Sequence, residues 1–245
     1  MCTVSWLPGP GGYLLCFNRD ESRTRRPGEP PTRREVAGLE ILAPTDADAG
    51  GSWIGVNGGG AALGLANRYG PKTPPPKDPI SRGLLVLELL ERPTLNEMEA
   101  HLKSVDLGRF RPFTLIGTEP DAPARLWSWS GTEAGSSLIS SPGLLITSSA
   151  VDQEGAEAAR RALFLDAARD PGLSREVLID LHRSHRPERG GHSVCMHRTD
   201  ASTVSLTTIE VTTDRIAIAY SAGPPCITPL GPPLTALRRS VRDRG

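Results

Sequence analysis

A cysteine stands second in this sequence, and the polar run Asn18-Arg19-Asp20-Glu21 closes the second of two apolar stretches that follow it. Once Met1 is removed, Cys2 carries a thiol and a free α-amine on one residue. An α-amine with a pKa of about 7.7–8.0 can accept a proton near neutrality, so such a nucleophile needs no distant histidine as its base. The thiol, ordinarily near about 8.5, shifts toward thiolate beside a guanidinium, and Arg19 is the candidate. Asp20 can orient the α-amine through a charge-assisted hydrogen bond. Taken in isolation, the same residues read equally as a polar turn and a small apolar side chain near a terminus.

The elements that must bring these groups together form a hairpin. Residues 3–7 and 13–17 are apolar-rich, and Pro8-Gly9-Pro10-Gly11-Gly12 between them is full of turn formers. Folding about that turn sets Cys2 across from Asn18 or Arg19, and a slip of one residue exchanges the faces. Arg19 and Asp20 are adjacent, which on a regular strand sends them to opposite sides. A bulge or strand end at Asn18 would let both face Cys2; otherwise Asn18 or Glu21 takes one of the roles.

Composition narrows the class. The chain has 245 residues and a formal net charge of +0, with acids and bases intermixed, which leaves no electrostatic footprint for nucleic acid. No apolar run approaches the roughly 20 residues that span a bilayer, so no integral membrane segment is expected. Cys2, Cys16, Cys195 and Cys226 lack any C-x-x-C spacing, and the first 17 residues lack the charged start of a secretory signal. A cytoplasmic location is the expectation.

Along the chain, 22–34 is basic and its prolines predict a loop, while 39–42 predicts a short strand. Strands at 52–56 and 60–66 flank Asn57-Gly58, a strong hairpin signal. The small residues Gly60, Ala61, Ala62, Gly64 and Ala66 require another layer or a ligand close to the backbone. A loop at 69–79 precedes a helix from Ser81 to about Glu91, apolar nearly all round, and a second helix after Thr94 with Glu97 in capping-box position. Segments 112–117, 125–130, 137–140 and 143–148 read as an antiparallel meander. Two helices at 152–169 and 174–185 follow, then strands at 193–197, 203–211 and 215–221. Antiparallel runs broken by helical pairs predict an α+β fold, with 1–245 as a single domain.

These residues also carry a resemblance. Met1-Cys2, Phe17-Asn18-Arg19-Asp20-Glu21, the run Gly50-Gly51-Ser52-Trp53-Ile54-Gly55-Val56-Asn57, then Gly64-Leu65 with Asn67-Arg68, and Ser81-Arg82-Gly83 before a helix resemble the Asn-Arg-Asp-Glu family, also called the transport and Golgi organisation family. That family is similar to the N-terminal-nucleophile (Ntn) hydrolases, with cholylglycine hydrolases and penicillin V acylases as enzymatic analogues. The resemblance implies a four-layer αββα sandwich, two antiparallel sheets between helical layers. It implies that Asn67 donates to an oxyanion, that Ser148 stands where the analogues carry an Asn, and that Arg160 or Arg161 stands where they carry an Arg. It implies a cysteine hydrolase acting on the amide C–N bond of a small molecule and needing no cofactor. The alternative it implies is a non-catalytic trafficking protein that binds haem, lipid or an acyl group on the same scaffold.

His182, His185, His192 and His197, with Cys195 nearby, are the metal-like residues of the chain. Their spacing matches no zinc signature, so the expectation is solvated or capping histidines and no metal.

Overall fold

The structure, a computed structural model, describes residues 2–69, 76–139, 141, 143–170 and 172–239. Most of the expected loop at 69–79, Ser140 at the end of an expected strand, and the end of the basic tail lie outside these residues.

The opening hairpin pairs β1 (Cys2–Gly9) with β2 (Gly12–Ser22), and Cys2 sits opposite Arg19. β2 shows why this strand lies at the centre of the molecule. Leu15 and Phe17 enter the core between the sheets, whereas Leu14 and Cys16 enter the core under the helices. Alternation of side chains along an extended strand buries both faces, so both must be apolar.

Next come β3 (Glu29–Val36), β4 (Leu39–Thr45), β5 (Ile54–Asn57) and β6 (Ala62–Asn67). The loop expected at 22–34 is corrected here. Residues 29–34 belong to an edge strand whose register shifts between Glu29 and Thr32. Pro30 and Pro31 fall within that irregular stretch, and edges and irregularities are where a strand tolerates a residue without an N–H.

The helices α1 (Arg82–Leu90) and α2 (Leu95–Leu102) pack Leu85, Leu89, Leu95 and Met98 onto Leu63, Leu65 and Leu115 of the sheet. Ser81 occupies the N-cap position of α1 without a side-chain cap bond, whereas Thr94 caps α2 by accepting from the Glu97 N–H. β7 (Phe113–Thr118), β8 (Ala124–Trp129) and β9 (Ala134–Ile139) complete a seven-stranded antiparallel sheet of order β3-β4-β5-β6-β7-β8-β9.

The expected meander ends there. β10 (Leu144–Ser148) crosses to the other sheet and pairs with β1. α3 (Gln153–Arg169) and α4 (Arg175–Arg183) cover that sheet, and β11 (Ala201–Val211), β12 (Arg215–Ser221) and β13 (Leu234–Leu237) complete its order, β10-β1-β2-β11-β12-β13. The strand expected at 193–197 is instead irregular chain with one bridge, His197 to Ser202. Helix, sheet, sheet and helix stack in four layers, as the resemblance implied.

The small residues of β6 have a packing reason. Ala62 and Ala66 face the core between the sheets, and a Cβ on Gly64 would lie 3.1 Å from Ile116 and 3.4 Å from the Phe17 ring. A strand without bulk lets Phe17 of the opposite sheet seat against it. At the other end of the hairpin, a Cβ on Gly51 would overlap the backbone of Gly83. That close approach, fixed by Ser52 N–H donating to Gly83 C=O at 2.9 Å, docks the first turn of α1 against the chain that leads into β5.

Candidate active site

Cys2 lies at the end of an inner strand, flanked by Arg19 on β2 and Ser148 on β10. Its main-chain N–H donates to Ser148 Oγ at 3.1 Å. Ser148 therefore holds the Cys2 nitrogen, the atom expected to be an α-amine if Met1 is removed. Burial pushes the Cys2 thiol up, and the Asp20 and Glu21 carboxylates push it further, while the Asp20 N–H pulls it back. Burial thus favours the thiol form over the thiolate.

The adjacent residues of the polar run part to opposite faces, as the strand period demands. Asn18 turns to the helical side and donates to the carbonyls of His182 and Val194 at 2.8 and 3.0 Å. It is a structural bracket and takes neither role left open for it. Asp20 lies on the same side, buried, accepting from Thr203 Oγ at 2.6 Å with Arg160 Nη1 at 3.8 Å. Burial raises its pKa, and the Arg160 charge and the Thr203 hydroxyl pull it down. Thr203 Oγ in turn accepts from Met196 N–H at 2.8 Å. The irregularity expected at Asn18 is on the partner strand. Register shifts between Thr203 and Ser205, so Val204 has no partner on β2. Such a bulge re-aims side chains beside a site.

Arg160 is wholly buried on α3 and reaches Thr147 Oγ at 2.6 Å, Thr3 Oγ at 2.9 Å and the Gly191 carbonyl at 3.0 Å. Arg161, its neighbour, is exposed. Of the pair left open by sequence, Arg160 is the one in the site, and Arg161 does not reach it. One helical step of about 100° separates a buried position from a solvated one.

Arg19 faces the other sheet. Its guanidinium lies 4.4 Å from the Trp53 ring centre and pairs with Asp46 at 2.9 Å and Glu21 at 3.3 Å. Glu21 also pairs with Arg25 at 2.8 Å. The cations whose titration feels the Cys2 charge are Arg160 and Arg82, and burial lowers the pKa of both. Arg82 thus lines the Cys2 cleft alongside Arg19. Its signal was the Ser81-Arg82-Gly83 run, whose glycine packs against Gly51 and so fixes the start of α1. Asp46 and Thr203 had no local signal, since each is one acid or hydroxyl among many.

Cys2, Arg19, Asp20, Glu21 and Asn67 all line one cleft of about 330 Å³, together with Arg25, Asp46, Trp53, Arg82 and Arg111. Asn67, at the end of β6, donates its amide to the Tyr69 hydroxyl at 3.2 Å. Asn67 also borders a second cavity of about 420 Å³ on the far side, with Ser148 and with the apolar Leu126, Leu144 and Ile146. A charged cleft and a more apolar groove thus share an amide at their boundary. The charged lining beside Cys2 does not fit the broad apolar face of a porphyrin.

The histidines divide. His182 is buried with Nε2 at 2.8 Å from Ser5 Oγ, and burial and Arg160 push its pKa down to about 3. His192 pairs with Asp152 at 2.8 Å. His185 and His197 come together with Cys195 and Cys226.

The sequence profile described as Transport and Golgi organisation 2 matches residues 1–161. The chain belongs to that family. No curated protein sequence is similar enough to match it. Among solved structures, the Caenorhabditis elegans ortholog of N-acylethanolamine-hydrolyzing acid amidase superposes with a TM-score of 0.61 at 15% identity, over 85% of this chain and 92% of that one. A mutant conjugated bile acid hydrolase from Clostridium perfringens gives 0.56 at 10% identity, over 91% and 89%. Penicillin V acylase from Agrobacterium tumefaciens gives 0.51 at 11% identity, over 89% and 82%. At such identities the likeness establishes the fold, that of the Ntn hydrolases, and the family match fits it. Among the described residues no helix is long and apolar enough to cross a membrane.

Proposed function

We propose that this chain is an N-terminal cysteine amidohydrolase that cleaves the C–N bond of a small amide. The observation that carries the reading is the placement of Cys2 in the cleft, its nitrogen on Ser148 and the buried Asp20 behind it. After Met1 is removed, the α-amine of Cys2 takes the thiol proton as sulfur attacks the amide carbonyl carbon. The carbonyl π electrons move to oxygen, and the Asn67 amide, released from Tyr69, donates to that oxyanion. Collapse breaks the C–N bond, the α-ammonium protonates the departing amine, and a thioester remains. Water attacks the thioester with the α-amine again as base, releasing the acid and restoring the thiol.

Asp20 and Arg160 position the reacting residue. Arg160 ties Thr3 next to the nucleophile to Thr147 next to Ser148, and its charge pulls the Asp20 pKa down against the effect of burial. The two cavities that meet at Asn67 suit a substrate whose acyl part is apolar and whose amine part is polar or charged. The structural neighbours bear the names of an amidase, an acylase and a conjugate hydrolase, which agrees with this class.

The test begins with intact mass of the purified protein, expected to lack Met1. Wild type and Cys2→Ala are then run through a panel of acyl amides and esters. Turnover by wild type and none by Cys2→Ala is the expected result. A retained Met1, or equal rates for the two proteins, would overturn the reading. Ligand binding that survives in both proteins without turnover would instead assign a carrier on this scaffold.

A further inference from the structure

Three stretches of chain, the end of α4, the approach to β11 and the turn after β12, meet in one cluster. His185 directly follows Ser184, the C-cap of α4. Cys195 and His197 lie on the irregular chain that leads to β11, and Cys226 lies in the turn after β12. One donor atom from each of these four residues falls within 4.8 Å of all the others. His197 Nε2 is 3.5 Å from Cys195 Sγ and 3.5 Å from Cys226 Sγ. The His185 and His197 rings cross at 72° with centres 5.0 Å apart. His185 Nε2 is buried and has no hydrogen-bond partner among the described residues.

Packing alone accounts poorly for this group. A single ring nitrogen cannot give one proton to two sulfurs, thiols are weak partners, and a buried imidazole nitrogen without a partner is costly. A divalent metal ion satisfies all four donors at once. We propose that His185, Cys195, His197 and Cys226 bind one zinc ion. Zinc takes two thiolates and two imidazoles in a tetrahedron whose edges, from bonds of about 2.3 and 2.0–2.1 Å, are about 3.3–3.8 Å long. The four donors need only close slightly to reach it.

Binding converts two thiols to thiolates and sends two protons to solvent, while both imidazoles stay neutral, so the filled site carries no net charge. That neutrality suits a partly buried place where Arg23 and Arg189 approach His197 and Asp20 approaches Cys195. Four protein ligands leave no open position, which makes the site structural rather than catalytic.

The clamp would fix what the nucleophile's surroundings hang from. The chain between His185 and His197 supplies the Gly191 carbonyl to Arg160, the Val194 carbonyl to Asn18 and the Met196 N–H to Thr203. Cys195 N–H is itself tied to Ser184 C=O at 3.0 Å, so the end of α4 and this chain move together. The proposal does not depend on hydrolysis.

The experiment uses the full chain purified under reducing conditions. Elemental analysis is expected to find one zinc per chain, lost in His185→Ala and in Cys226→Ser, both at partly buried positions where folding tolerates change. Chelator-stripped wild type is then titrated with Zn2+ alone and with Co2+ alone. Tetrahedral ligand-field bands and a thiolate-to-cobalt charge-transfer band are expected, with charge transfer weakened in Cys226→Ser. Each variant should bind zinc more weakly than wild type by more than the roughly 10–100-fold that follows loss of a ligand's hydrogen-bond partner. Thermal unfolding supplies a second readout: zinc should raise the midpoint of stripped wild type and leave His185→Ala unmoved. An octahedral cobalt spectrum, equal zinc affinity in wild type and variants, or a Cys195–Cys226 disulfide in the reduced preparation would overturn it.

Discussion

His182 sits wholly buried between α4 and β1, and acid should therefore unfold this protein partly through one imidazole. Its folded pKa is about 3 against an ordinary 6.5, because burial and the Arg160 charge disfavour the imidazolium. A depressed folded pKa gives stability that is present above the unfolded value and is lost as pH falls from about 6.5 toward 3. The full shift corresponds to about 5 kcal/mol, reached only below pH 3. Between pH 7 and pH 5 the unfolded chain becomes almost fully protonated at this site while the folded chain does not, a loss of about 2 kcal/mol. Other groups titrate in the same window, so the measurement is a difference. His182→Gln places an amide nitrogen near Nε2, where it can keep the bond to Ser5 Oγ, and removes the titration. Urea unfolding of both proteins, followed through the buried tryptophans at pH 7 and pH 5, should show wild type losing about 2 kcal/mol more than the variant. Equal losses would refute the reasoning, because His182 would then be charged in the fold.

Three further outcomes follow from particular contacts. Arg160→Met should cost about 3–5 kcal/mol in denaturant unfolding, since it removes a wholly buried guanidinium that bonds Thr3, Thr147 and Gly191 and lies beside Asp20, whereas Arg161→Ala should change stability by less than about 0.5 kcal/mol. Gly64→Ala should cost about 1–3 kcal/mol by pressing on Phe17 and Ile116, and Phe17→Leu in the same chain should recover part of that loss in thermal unfolding. Thr203→Val removes a hydrogen bond that lowers the Asp20 pKa, so the acid limb of the pH–rate profile on an amide substrate should move to higher pH. A limb that stays in place would mean that Asp20 ionisation does not govern the rate.

Much of the site could be read because its signals are local. The hairpin turn sets Cys2 against Asn18 or Arg19, and the strand period separates Arg19 from Asp20, both from sequence alone; the register that chooses Arg19 comes from the fold. The conflict between adjacent Arg19 and Asp20 was also visible, and the strand period decided it, but the bulge at Val204 on β11, almost two hundred residues away, was not. The same distance hid Thr203. Adjacent arginines on α3 could not be told apart, since choosing 160 over 161 requires knowing the rotation of the helix on its sheet. β10 misled for a different reason: its composition matches the meander before it, and nothing local to a strand says which sheet it joins. The four metal-type residues were scattered over 42 positions, and Cys226 entered the group only when the turn after β12 came into contact with His197.

The pairing of Cys2 with Ser148 and the bond from Thr203 to Asp20 also set the order of events during biosynthesis. Cys2 and Asp20 are made well before the residues that hold them, Ser148 and Thr203. At about 5–20 residues per second, roughly 10–40 s separate the synthesis of Cys2 from that of Thr203. Throughout that interval β2 lacks the neighbour that covers Asp20, and the thiol has no assembled pocket. A chain terminated before β11 would hold Cys2 and Asp20 without the strand that pairs with β2 and bonds Asp20. The cleft beside Cys2 is thus completed only once β11 has joined β2.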